Sequence, residues 1–165
     1  MISSQLSSRM ESMSRRGAPA FRDLARDRNL LTTKQWSEMT NKKSILTPNA
    51  PAPGGPYSQG IVANGFLYTA GFRPEDPATG TMVDDVAGQT RQVLKNIKAV
   101  LDAHGVSMND VVKTTVHLQY PTRDFPEFNI AYSEFFSEPY PVRTTVGSTL
   151  SGILVEIDVV AVVPG

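Results

Sequence analysis

The sequence predicts an α+β fold in which a β-sheet is layered with two helices. Three observations lead there: an Asn64-Gly65 pair between alternating segments, two stretches of helical periodicity, and two apolar stretches near the C-terminus. Pro- and Gly-rich residues 48–56 lead into the folded part. From Gly60 to Gly71 apolar and small residues alternate around Asn64-Gly65, the strongest short hairpin signal. Asp76-Pro77-Ala78-Thr79-Gly80 is a turn. Asp85 to His104 is helical, with Val86, Val93, Ile97, Val100 and Leu101 on one face, Asp85 as N-cap and Gly105 as stop. Val111–Leu118 reads as a strand. A second helix is expected from Asp124 to Phe136, with Phe128, Ala131, Tyr132 and Phe135 turned inward and Pro139 and Pro141 ending it. Strands at 142–149 and 153–163 close the chain.

A length of 165 residues suffices for one domain with a core, and no apolar run reaches transmembrane length. The absence of Cys excludes disulfides, thiolate metal sites and cysteine nucleophiles. The formal net charge of zero is unevenly spread: about +5 over residues 1–43 and about −5 over residues 44–165. An acidic folded part repels phosphate backbones, so no nucleic-acid partner is expected, nor a membrane. Residues 1–43 are rich in Ser and Arg and are set apart as an N-terminal extension preceding a domain at 44–165. They read either as a mitochondrial transit peptide, against which Glu11, Asp23 and Asp27 count, or as a flexible leader, with Met39 as an alternative start. The expected location is accordingly the cytoplasm or the mitochondrial matrix.

Arg143 and Glu156 stand thirteen residues apart in an otherwise apolar stretch. Charges in such a setting are costly unless they meet a partner or a ligand. The planar Arg fork fits a carboxylate, and a Glu holds or activates water. Strand alternation puts Glu156 and Asp158 on one face and Val155, Ile157 and Val159 on the other. Tyr57, after Gly54-Gly55-Pro56, is placed to hold its ring over a cleft, and Phe125 and Asn129 share a helix face at i, i+4 spacing. Two distant histidines and no Cys give no zinc set, Ser58 lacks a Gly-x-Ser-x-Gly frame, and the glycines lack phosphate-loop spacing.

Several segments occur in an order that resembles the RidA family (YjgF/YER057c/UK114): Gly55-Pro56-Tyr57-Ser58-Gln59, Ala70-Gly71, Gln89-Thr90 to Asn96, Asp110 to Val116, Phe128-Asn129 with Tyr132, Pro141-Val142-Arg143-Thr144, and Glu156-Ile157. The resemblance covers residues 46–163. It implies a chorismate-mutase-like domain, with a mixed sheet of about six strands and two helices on one face. It also implies a homotrimer with sites between subunits, and cofactor-free, metal-free hydrolysis of 2-imino acids or enamines (2-iminobutanoate, 2-iminopropanoate) to 2-keto acids and ammonia. By the family pattern Arg143 clamps the substrate carboxylate and Glu156 positions water. Tyr57, Gly71, Phe125, Asn129 and Thr145 line the pocket, Thr145 through its main-chain carbonyl.

The chain departs from the family pattern at four places. Ala70 stands where many members carry Ser, Phe72 replaces the usual Gln, Thr145 replaces a frequent Cys, and the Thr149–Gly152 turn is short. Thr69 is not expected to replace the missing hydroxyl, because adjacent strand residues face opposite ways. These departures motivate a rival expectation: an accessory, ligand-binding or specialised biosynthetic protein with altered pocket walls. Family members have also been described as endoribonucleases, but the acidic domain lacks the basic stripe and histidine pair such a role needs.

Overall fold

In the computed structural model, residues 41–164 are described. The expected N-terminal extension lies outside them except for its last three residues. Strand β1 spans Lys43–Ile45, β2 Gly60–Ala63 and β3 Phe66–Thr69. Helix α1 covers Val86–Asp102, and a 3₁₀ turn at Met108–Asp110 opens β4, Val111–Leu118. Helix α2 is Pro121–Ser133, β5 Val142–Gly147 and β6 Val155–Val162. Six strands form one sheet in the order β1-β2-β3-β6-β4-β5. Strands β4 and β5 run parallel, joined by α2 as a crossover; the other neighbouring pairs are antiparallel.

The hairpin forms where Asn64-Gly65 marks it, with φ of 51° and 78° at the two turn residues. Asp76 shapes the next turn by accepting Gly80 N–H at its carbonyl and Ala78 N–H at its carboxylate. Asp85 caps α1 by accepting from Gly88 N–H at 2.7 Å, and Gly105, at φ 71°, turns the chain beyond its end. Strand β4 has the bounds expected of it. A register shift between Val111 and Lys113 bulges β4 at its entry, and the alternation is regular beyond.

Three expectations are corrected. Helix α2 begins at Pro121, not Asp124, because a proline suits the first turn, where no N–H is needed. It ends at Ser133, not Phe136, and Phe135 is half-buried while Phe136 is buried. The last turn tightens, Glu134 and Phe135 donating to Ala131 and Tyr132, and the shorter repeat swings Phe136 inward. Strand β1 is too short for periodicity to announce.

Both helices lie on one face of the sheet. Val93, Leu94, Ile97, Val100 and Leu101 of α1 pack with Leu67, Val116, Leu118, Val155, Ile157 and Val159, while Phe128 and Tyr132 of α2 join from the β4 side. Each such side chain contributes on the order of 1.5–3 kcal/mol when buried. Among the described residues, no helix covers the other face. There Phe66, Tyr68, Val142, Val146 and Val162 are exposed, interspersed with Lys113, Thr115, Glu156 and Asp158, so a sheet face with exposed apolar side chains stands uncovered in the single chain.

Candidate active site

Strand register decides which expected site residues meet. In β4, Thr114 is fully buried beneath the helices, and His117, three positions on, points to the other face. Thr114 stands opposite Arg143 in β5, and His117 opposite Glu156 in β6. Arg143 therefore projects on the helix side, and Glu156 on the uncovered side. Within one chain the two charges expected to act together are separated by the sheet itself.

On the helix side, Arg143 sits against α2. Its guanidinium carbon lies 4.6 Å from the Tyr132 ring centroid, 5.4 Å from Phe128 and 5.7 Å from Phe125. Asn129, Tyr132, Tyr140, Pro141 and Arg143 line one cavity. Phe125 is exposed beside it. Thr145 shares this face two residues along β5, and its Oγ1 is buried without a hydrogen-bond partner. An orphaned buried hydroxyl costs about 1–3 kcal/mol. Burial pushes the Tyr132 phenol above its usual range, while the Thr114 hydroxyl and the Arg143 charge act to lower it.

Tyr57 belongs to a second cleft, bordered also by Pro51, Gly54, Ala70, Gly71 and Arg73. The Tyr57 hydroxyl accepts from Gly54 N–H at 2.9 Å, so the glycine loop curls back onto the ring. Glu156 lies directly against Gly71: a β-carbon there would come within 2.7 Å of its Oε1. Tyr57 and Gly71 border one candidate half-site, with Glu156 against Gly71, and Asn129 and Arg143 line the other, with Phe125 and Thr145 beside Arg143. Among the described residues, no hydrogen bond or ion pair joins one half to the other.

The departures from the family pattern resolve unequally. Phe72, expected to alter a pocket wall, is buried in the core and paired with Ile157, and it lines the Tyr57 cleft. Thr69 Oγ1 accepts from Val159 N–H at 2.9 Å, which commits it to the sheet. The hydroxyl missing at Ala70 is not replaced from there.

Sequence reasoning missed the supports of these walls. Gln59 is buried; its side-chain carbonyl accepts from Thr47 N–H, and its amide donates to the carbonyls of Thr47, Ala50 and Pro51, fixing the loop before Tyr57. Asn96, buried in α1, donates to the carbonyls of Arg73 and Glu75 and holds the strand end after Gly71. Both are buried polar side chains whose hydrogen bonds are satisfied by loop carbonyls, and their sequence neighbours give no signal of it. Among the described residues no cluster of His, Asp and Glu could hold a metal ion, and no helix is long and apolar enough to cross a membrane.

The family model described as endoribonuclease L-PSP matches residues 47–163, which is most of the chain and both half-sites. The chain belongs to the RidA (YjgF/L-PSP) family. A RutC family protein of Pyrococcus horikoshii is 49% identical over 123 residues, covering 73% of this chain and 97% of the relative. A Salmonella typhimurium relative named 2-iminobutanoate/2-iminopropanoate deaminase is 40% identical over 125 residues, covering 73% and 97%. Among solved structures, the YjgF gene product of Escherichia coli superposes with a TM-score of 0.68 at 40% identity, covering 73% of this chain and 98% of the other. Escherichia coli TdcF with bound serine gives a TM-score of 0.68 at 37% identity, covering 73% and 98%. The six-stranded mixed sheet with two helices on one face is the RidA-type fold the motifs implied.

Proposed function

We propose that this chain hydrolyses small 2-imino acids, 2-iminobutanoate and 2-iminopropanoate, in clefts shared between subunits of a homotrimer. The observation that carries the reading is the placement of Arg143 and Glu156 on opposite faces of one sheet, Arg143 lining a cavity and Glu156 lying against Gly71 at the border of another cleft. The deaminase name of the Salmonella relative and the serine bound to TdcF support a carboxylate-bearing ligand. The uncovered face with its exposed apolar side chains supports assembly, since exposed surfaces of this kind mark an interface.

The Arg143 fork takes the substrate carboxylate through two N–H donors, leaving the imine carbon toward the neighbouring subunit's half-site. Glu156 accepts a proton from water as the water oxygen bonds to C2. The C=N double bond becomes a C–N single bond, and Glu156 returns that proton to the nitrogen. The resulting carbinolamine collapses: Glu156 carries the hydroxyl proton to the amino nitrogen, C=O forms, and the C–N bond breaks to release ammonia. One imine and one water give one 2-keto acid and one ammonia, with no change of oxidation state.

The test couples a threonine dehydratase to semicarbazide and asks whether the protein competes for released 2-iminobutanoate, with Arg143→Ala as control. Keto-acid release accelerated only when Arg143 is present supports the deaminase; binding of 2-oxobutanoate without turnover favours the accessory role that Ala70 motivates. Mixing inactive Arg143→Ala and Glu156→Gln chains tests the shared cleft. In a ring of head-to-tail contacts, random equimolar mixing restores about a quarter of the wild-type sites. Sites contained in one chain would restore none.

A further inference from the structure

Arg143 is held in an unusual way for a clamp. Among the described residues no carboxylate pairs with it; its support is aromatic. Phe125, Phe128 and Tyr132 follow one another along one face of α2, with ring centroids 6.2 Å and 5.5 Å apart. Phe136 extends the strip, 4.6 Å beyond Tyr132. Tyr132 is 5% exposed, and its hydroxyl lies 2.9 Å from Thr114 Oγ1, which is itself fully buried. Thr114 is the residue directly beside Arg143 in the sheet. The ring nearest the guanidinium is therefore tied to the strand position that flanks the arginine backbone.

An aromatic support differs chemically from an acidic one. A carboxylate partner would occupy the N–H donors in the guanidinium plane and compete with a ligand carboxylate for them. A ring face attracts the cation without accepting those in-plane bonds, so the fork stays available. We propose that Tyr132, tethered by Thr114, is the positioning residue for Arg143, orienting its fork toward the ligand carboxylate. This rests on the reading of Arg143 as the carboxylate clamp and deepens it.

The experiment compares wild type with Tyr132→Leu, Tyr132→Phe and Thr114→Val, reading kcat and KM for 2-iminobutanoate, the Kd for 2-oxobutanoate and the thermal midpoint of each. Removing the ring should weaken keto-acid binding and lower kcat/KM at least about tenfold, within the range of a desolvated cation–π contact. Tyr132→Phe, which keeps the ring, should recover most of the loss, and Thr114→Val should show a smaller loss of the same kind. A general packing defect would instead lower the thermal midpoint and leave the Kd of the folded protein unchanged, which overturns the proposal. A folded Tyr132→Leu protein whose Kd and kcat/KM stay within about twofold of wild type overturns the proposal. If Tyr132→Leu does not fold, Thr114→Val decides, and an unchanged Kd overturns it. Wild type that neither turns over the imine nor binds the keto acid overturns the clamp reading itself, and the positioning role with it.

Discussion

Glu156 rests on Gly71: a β-carbon at position 71 would lie 2.7 Å from Glu156 Oε1 and 3.0 Å from its Cδ. Contact, not backbone conformation, is what calls for glycine there. Gly71→Ala must push the carboxylate aside, and half-buried Glu156 has room to swing. The expected result is a fall in kcat of about ten- to a hundredfold, as for a misplaced catalytic group. The thermal midpoint should change little. Steady-state kinetics beside a melting curve checks this, and an unaltered kcat would remove Glu156 from the reaction.

Arg143→Lys keeps the charge and discards the planar fork. The ammonium is a point donor and stacks less well on the Tyr132 ring. Activity should fall by about a hundredfold or more while fold and assembly persist. Near-full activity of the variant would place the carboxylate site elsewhere.

Thr145→Val separates binding from folding. Its Oγ1 is buried without a partner, so replacing it by a methyl should leave stability unchanged or raise it by about 1 kcal/mol. If the hydroxyl meets the ligand, KM rises in the same variant. A stability gain with unchanged KM would assign the position to packing alone, leaving only its main chain for the pocket.

Asp110 predicts a pH dependence. It accepts from the Ser107 hydroxyl and Ser107 N–H, and these bonds hold its carboxyl below the ordinary value of 3.8. A lowered folded-state pKa means stability present above the unfolded value and lost as pH falls through the folded one. Melting curves from about pH 5 down to about pH 2 should show a shallower decline for Asp110→Asn than for wild type. Parallel curves would show that this capping box contributes nothing to acid sensitivity.

Much of the fold was legible because local chemistry announces it. Asn64-Gly65 supplies the two positive φ angles, Asp85 the cap, and Val111–Leu118 the β-branched run. Arg143 and Glu156 stood out as charges in apolar strands. Their separation by the sheet was not legible. It depends on β5 joining β4 in parallel while β6 inserts antiparallel between β3 and β4, pairings set by contacts distant in sequence. Gln59 and Asn96 were visible as motif members, but their work in holding loop carbonyls shows only once the loops are closed around them.

The uncovered face of the sheet ties chemistry to abundance. A chain that keeps its cation on one side and its carboxylate on the other cannot bring both to a single small acid by itself. Any reaction that needs both rises more steeply than in proportion to the number of chains at low concentration, and becomes proportional once assembly saturates. On the proposed reading, newly made, dilute chains are catalytically silent until they assemble.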